Sequence, residues 1–157
     1  MFGCAAFLLL RTLLGITLSP ECGVPAVEGD PVGPLVVKHI GEAAISCGRL
    51  WCRSSHEIKP SDQQIAALQA CMARAYREQR SFFFSIEEQG VDSYVATGLM
   101  RRGSGQLQRF WFDSRPSPTP GSPASLVVAD CPAPTAPERI DPFLDCTRGI
   151  RRSPTRR

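Results

Sequence analysis

The stretch from Ser61 to Ser114 constrains the fold more than any other part of the chain, because a capped helix pattern runs directly into three strand patterns. Ser61 and Gln64 match a capping box, in which each side chain bonds the backbone N–H of the other residue. Apolar residues then recur at spacings of three and four and form one stripe: Ile65, Leu68, Met72, Ala75 and Tyr76. This pattern predicts an amphipathic helix over residues 61–80.

Two turn signals, at 89–90 and 103–104, divide the following residues into an antiparallel meander. Read as tight hairpin turns, they predict that Thr97 pairs with Phe84 on one side and with Phe110 on the other. On this register one face of the sheet carries an apolar set that the helix should cover. The set is Phe82, Phe84, Ile86, Val95, Thr97, Leu99, Phe110 and Phe112.

The same register predicts a second sheet face that is unusually aromatic. An apolar centre with tyrosine and tryptophan anchors and a polar border is typical of a recognition patch. The alternative is that the proline-rich region or the N-terminal arm covers this face and makes it a second, minor core, because large apolar patches rarely stay exposed. The candidate binding residues are Phe83, Tyr94, Met100, Arg109 and Trp111.

Outside this stretch, Leu35–Ile40 has the composition of a strand, and Ser125–Asp130 is a plausible fourth strand of the meander. We therefore expect a single α+β domain over residues 27–146 with its core in 61–131. Its architecture would be one amphipathic helix packed on a three- to four-stranded antiparallel β-meander, with loop-rich ends stapled by disulfides. In outline this is similar to cystatin-like and other small inhibitor modules.

The two ends of the chain have distinct compositions. Residues 1–26 are expected to be a signal peptide, because the first 19 are mostly apolar and Val24 and Ala26 suit the positions before a cleavage site. This predicts a periplasmic or secreted protein with no stable membrane span once the leader is removed. Arg11 interrupts the apolar run, so a buried N-terminal helix of a cytosolic protein is the alternative.

The last eleven residues, 147–157, carry five arginines and no acid, which predicts a disordered basic tail. Removing these five from the 18 basic residues of the chain leaves 13 against 15 acidic residues in the rest. The body is therefore mildly acidic, and we expect no specific nucleic-acid partner.

Cysteine is the strongest chemical signal. Apart from Cys4 in the expected leader, an even number remains, which suits disulfides in an oxidising compartment, with about fifteen connectivities open. Cleavage after Ala26 would remove Cys22 from the set. The disulfide candidates are Cys22, Cys47, Cys52, Cys71, Cys131 and Cys146.

A zinc site is the competing use of these cysteines, since zinc is held by four thiolate or imidazole ligands. The ligand set would be His39, Cys47, Cys52 and His56. Its spacing lacks the short Cys-x2-Cys knuckle, so we prefer a small loop closed by Cys47 and Cys52, with the histidines on the surface. The sequence has none of the familiar hydrolase, phosphate-binding or metalloprotease motifs, and we expect no cofactor.

Two short segments resemble parts of small exported proteins of Gram-negative bacteria that have no assigned function. They are 89–93, QGVDS, and 110–114, FWFDS. The resemblance implies export and no particular activity. Our first hypothesis is a small exported, non-catalytic binding or inhibitory module of unknown partner, acting in the envelope or outside the cell. The alternatives are a structural cell-envelope protein without a specific ligand, and a zinc- or thiol-dependent enzyme using the 39–56 cluster.

Overall fold

The computed structural model describes residues 30–51, 60–90, 92–117, 119, 121–144, 146 and 148–154. In these residues two helices flank one mixed sheet whose strands lie in chain order. The first two strands pair in parallel, and the other pairs are antiparallel. The elements are α1 (Gly33–Ile40), β1 (Ile45–Trp51), α2 (Asp62–Arg77), β2 (Phe82–Gln89), β3 (Tyr94–Arg101), β4 (Leu107–Asp113), β5 (Ser125–Asp130) and β6 (Arg148–Pro154).

The predicted α+β class is confirmed, and the predicted sheet is wrong in detail. Five strands run between Ile45 and Asp130 where three or four were expected, and β1 makes the sheet mixed. Strand β5 has the bounds that its pattern predicts. Strand β6 lies where we expected a disordered tail, and its backbone pairs with the otherwise free edge of β5.

Helix α2 forms for the reasons read from its sequence. The Gln64 N–H donates to the Ser61 hydroxyl at 3.3 Å, and the Ser61 N–H donates to the Gln64 side-chain oxygen at 2.9 Å. Leu68, Met72 and Ala75 are buried along one stripe. The α-helix ends at Arg77, three residues before the predicted end.

The 35–40 segment is helical, so the strand expected there is wrong. A carboxylate oxygen of Asp30 accepts from the N–H groups of Val32 at 3.0 Å and Gly33 at 2.7 Å, which satisfies donors at the start of α1. Val32, Val36 and Ile40 recur at the helical spacing of four and are all buried. The helical period therefore outweighs the β-branched composition of this segment.

The first hairpin places its strands two residues away from the predicted register. Four residues, 90–93, connect β2 to β3, so Phe84 pairs with Leu99 and Ile86 pairs with Thr97. Because side chains alternate along a strand, a shift of two leaves every residue on its predicted face.

The second hairpin is displaced by one residue, and this changes the face of β4. Residues 102–106 connect β3 to β4, with Gly105 at a φ of 92°. Thr97 therefore pairs with Trp111, and Gly98 pairs with Phe110. Phe112 consequently lies on the α1 side, and the prediction that it packs under α2 is wrong.

Gly98 supplies the physical reason for this register. A Cβ atom at position 98 would lie 2.0 Å from the carbonyl oxygen of Phe84 and 2.4 Å from Cζ of Phe110. The Phe110 ring thus occupies the space that a side chain opposite it would need. Thr97 could not take that place.

Each face of the sheet carries its own core. The core on the α2 side contains Leu50, Leu68, Met72, Ala75, Phe82, Phe84, Leu99, Leu107, Cys131 and Ile140. The core on the α1 side contains Val32, Val36, Ile40, Phe83, Tyr94, Ala96, Met100, Phe110, Phe112, Ala124, Leu126 and Val128. Neither helix of the described residues is long and apolar enough to cross a membrane.

Two disulfides confirm the oxidised state of four predicted cysteines. Cys47 of β1 bonds Cys71 of α2, and Cys131 after β5 bonds Cys146. The preferred loop between Cys47 and Cys52 is therefore wrong. The first bridge spans 24 residues, for which loop-closure entropy gives about 3 kcal/mol of stabilisation. Cys22 and Cys52 lie outside the described residues.

We expect Gly98→Ala to lower the free energy of unfolding by about 1 to 3 kcal/mol, because the added methyl group overpacks a site bounded by backbone and an aromatic ring. Gly103→Ala is the matched control, since its Cβ would meet nothing nearer than the Ser81 hydroxyl at 3.7 Å. It should change the free energy by about 0.5 kcal/mol or less. Equal urea midpoints for both variants would contradict the β3–β4 register.

Candidate functional site

The strongest candidate site is a groove on the α2 side of the sheet, beyond the part that α2 covers. Its floor consists of two rows of side chains that cross β2, β3, β4 and β5 in register. The inner row is Ile86, Thr97, Trp111 and Val127, and the outer row is Glu88, Val95, Asp113 and Ser125. The inner row is mainly apolar, and the outer row is polar except for Val95.

Three segments form the walls of this groove. Pro60, Asp62 and Ile65 come from the start of α2, Pro116 follows β4, and Phe143 belongs to the loop after β5. The groove has a volume of about 880 Å³. The side chain of Phe143 is 49 % exposed, which is exceptional for a large apolar residue in the described part of the chain.

Trp111 lies at the centre of the inner row and is partly exposed. The guanidinium carbon of Arg109 stands 5.2 Å from the centre of its ring, a cation–π contact. Arg109 pairs with Leu99 of the α2 core, so this contact holds the indole from the end of the face that α2 covers. Thr97 and Val127 flank the indole on the neighbouring strands, so a planar apolar group could lie along this row.

The structure divides the five predicted binding residues between the two faces of the sheet. Phe83, Tyr94 and Met100 lie in the α1 core and are at most 8 % exposed. Arg109 and Trp111 lie on the other face because of the one-residue shift in β4. The shared aromatic face is therefore wrong, and helix α1 covers the part that remains.

Sequence reasoning missed most of the groove. Ile86, Val95 and Thr97 were assigned to the covered core, because the helix was expected to extend over the whole face. A signal was nevertheless present, since a 16-residue helix is only about 24 Å long and starts beside a proline.

The predicted zinc ligands do not come together. Cys47 is bonded to Cys71 on the α2 side, so its sulfur is not a free thiolate. His39 lies in α1 on the opposite side, where its Nε2 is 2.9 Å from Nη2 of Arg102. Cys52 and His56 lie outside the described residues.

A second polar cluster lies on the α1 side and centres on Glu87, which is fully buried. The Arg49 guanidinium donates to both of its carboxylate oxygens, at 2.9 and 2.7 Å. The Ser85 hydroxyl donates at 2.5 Å, and the Tyr94 hydroxyl donates to the second oxygen. Arg49 also lies 3.6 Å from Asp30, so the cluster links β1, β2 and β3 to the start of α1.

Burial opposes ionisation of Glu87, but the hydrogen bonds from Arg49, Ser85 and Tyr94 outweigh it and hold the pKa of this carboxyl below its ordinary value. The bond to Glu87 raises the pKa of Arg49, and burial together with the same carboxylate raises the pKa of Tyr94. Both carboxylate oxygens of Glu87 thus accept hydrogen bonds from the other members of the cluster. The cluster therefore ties β1, β2 and β3 to the start of α1.

Comparison with protein-family models, curated proteins and solved structures found no match to this chain. The functional argument accordingly depends on the geometry of the groove.

We expect Glu87→Gln to lower the free energy of unfolding at pH 7 by about 2 to 3 kcal/mol. This is less than the loss of a fully buried pair, since Arg49 is partly exposed. Because the pKa of Glu87 is depressed when folded, its contribution is fully present above the ordinary value of 4.5 and is lost as the pH falls below it. The variant should therefore lose stability less steeply than the wild type between pH 5 and about pH 3.

Urea unfolding across this pH range measures the effect. Glu88→Gln is the control, because Glu88 is the next residue along β2 and its side chain lies on the other face. It should leave the stability at pH 7 nearly unchanged. Similar losses in both variants would contradict the buried ion pair.

Proposed function

We propose that this protein is a non-catalytic binding module whose groove takes a small organic ligand with an apolar body. The observation that carries the proposal is the inner row, which the described residues leave uncovered and in which Trp111 lies between Thr97 and Val127 at the floor of an 880 Å³ groove. Small-molecule sites are typically clefts of about 300 to 1,000 Å³ with a mainly apolar lining and a few polar groups.

The composition of the groove supports binding without catalysis. Its described lining contains no histidine, cysteine or lysine, so it offers no imidazole base and no thiol or amine nucleophile. The thiol-dependent alternative loses support because Cys47 is held in a disulfide. The structural-protein alternative gives no reason for a partly exposed tryptophan at the floor of a concave site.

We also propose that the protein acts outside the cytoplasm after removal of residues 1–26. These residues lie outside the described part of the chain. The bridges Cys47–Cys71 and Cys131–Cys146 support this, because disulfides persist in oxidising compartments. The resemblance to exported proteins of Gram-negative bacteria stays a prediction. Intact mass of the native protein should show loss of the leader, and an intact Met1 on cytosolic protein would contradict export.

Trp111→Ser should weaken binding of Nile red, a neutral apolar dye, by at least about tenfold, because the central aromatic contact is lost. The dye's emission reports binding, and thermal unfolding reports the fold. Since Trp111 is partly exposed, the variant should lose about 1 kcal/mol or less of stability.

Trp51→Phe is the matched control. Trp51 stacks on Tyr94 at 5.7 Å between ring centres and packs against the α1 core, so this variant should bind the dye as the wild type does. Equal dye affinity in the wild type and a folded Trp111→Ser variant would remove the groove as the binding site.

A further inference from the structure

The outer row of the groove contains two carboxylates that flank one apolar residue. Glu88 on β2 and Asp113 on β4 both lie beside Val95 of the strand between them. Neighbouring strands are about 4.8 Å apart, so the two Cα atoms are separated by roughly 10 Å. A positive group seated over Val95 would have a carboxylate on each side.

The charged side chains that line the described groove are all acidic, and the Arg109 guanidinium borders the groove through its contact with Trp111. Asp62 at the start of α2 adds a third carboxylate, and the described lining contains no arginine, lysine or histidine. Asp113 accepts a hydrogen bond from the backbone N–H of Arg115 at 2.8 Å, which orients it without neutralising it. Among the described residues, Glu88 and Asp113 form no ion pair, although the whole chain carries a net charge of +3.

The apolar and charged rows are adjacent, so a single ligand can contact both. Thr97 lies two residues after Val95 on β3 and Trp111 lies two residues before Asp113 on β4, so all four side chains are on the same face of the sheet. A ligand with its positive group over Val95 would therefore lay its apolar body over Thr97 and Trp111. The Arg109 guanidinium carbon already lies 5.2 Å from the centre of the Trp111 ring, so the indole would contact the apolar body of the ligand while the carboxylates hold its positive group.

We propose that the groove selects a small organic cation, an ammonium group attached to an apolar body, with Glu88 and Asp113 as the specificity-determining residues. This inference rests on the proposed function and names the ligand class of the same site. The described residues hold no group of three side chains suited to a metal ion, and this favours an organic cation.

The test uses three probes with one apolar body: phenylbutylammonium, phenylbutanol and phenylbutyrate. Calorimetry on the full-length protein at low salt should give an affinity for the ammonium at least about tenfold above that for the carboxylate, with the alcohol between them. The preference should shrink at 1 M salt, where the Debye length is about 3 Å.

The variant Glu88→Gln/Asp113→Asn removes both charges and keeps the shape and the acceptor for Arg115. It should bind the ammonium and the alcohol equally well. Glu42→Gln/Glu138→Gln is the matched control for net charge, because both residues are exposed and neither lines the groove. It should keep the wild-type preference.

The outcomes separate the two proposals. If the alcohol binds through Trp111 and the ammonium binds no better than the carboxylate, the charge selection is wrong and the proposed function stands. If none of the three probes binds, both are wrong. If the double variant keeps the ammonium preference, charge selection by Glu88 and Asp113 is wrong.

The chain's own C-terminus is the competing occupant. Pro154, the last described residue of β6, pairs with Ser125 of the outer row, and Arg156 and Arg157 follow it closely in the sequence. If the groove binds the organic cation and not the tail, Arg156→Gln/Arg157→Gln should leave the ammonium preference of the wild type unchanged. A preference that emerges in this variant alone would show that the tail is the native occupant and would overturn the proposal.

Discussion

The contact of Gly98 with Phe110 is the constraint on which the rest of the structure depends. Without a side chain at position 98, β3 can lie against the Phe110 ring and the Phe84 carbonyl, and any Cβ there would collide with both. This determines which residues of β4 face which helix. Phe110 and Phe112 are directed to the α1 core, and Trp111 and Asp113 are directed to the α2 side. The floor of the groove is a direct consequence of that alternation.

The groove also depends on how much of the sheet each helix covers. Helix α2 is tied to β1 by Cys47–Cys71 and packs over the rows that contain Phe84 and Leu99. On the other face, the Arg49–Glu87 pair joins the parallel strand β1 to β2 and holds the start of α1 through Asp30. Both helices are thus anchored near β1. Beyond the first turn of α2, the described residues leave the α2 side of β3 to β5 open.

Local signals in the sequence predicted local structure well. The Ser61–Gln64 capping box, the bounds of β5 and the oxidised state of Cys71 all follow from neighbouring residues or from composition. The register and the site did not follow, because hairpin loops of four and five residues replaced the expected two-residue turns. Gly98 is the residue that determines the register of β3 and β4, but the need for glycine there is evident only when the position of the Phe110 ring is known. Helix α1 was missed because β-branched composition was weighed above the spacing of Val36 and Ile40.

The most direct test of this account is the pairing of the central strands in solution. The structure predicts NMR cross-strand contacts between backbone protons of Thr97 and Trp111 and of Trp111 and Val127, which together define the inner row. Contacts between Thr97 and Phe110 would instead place Trp111 on the α1 side. That result would contradict the register, and the groove would lose its floor.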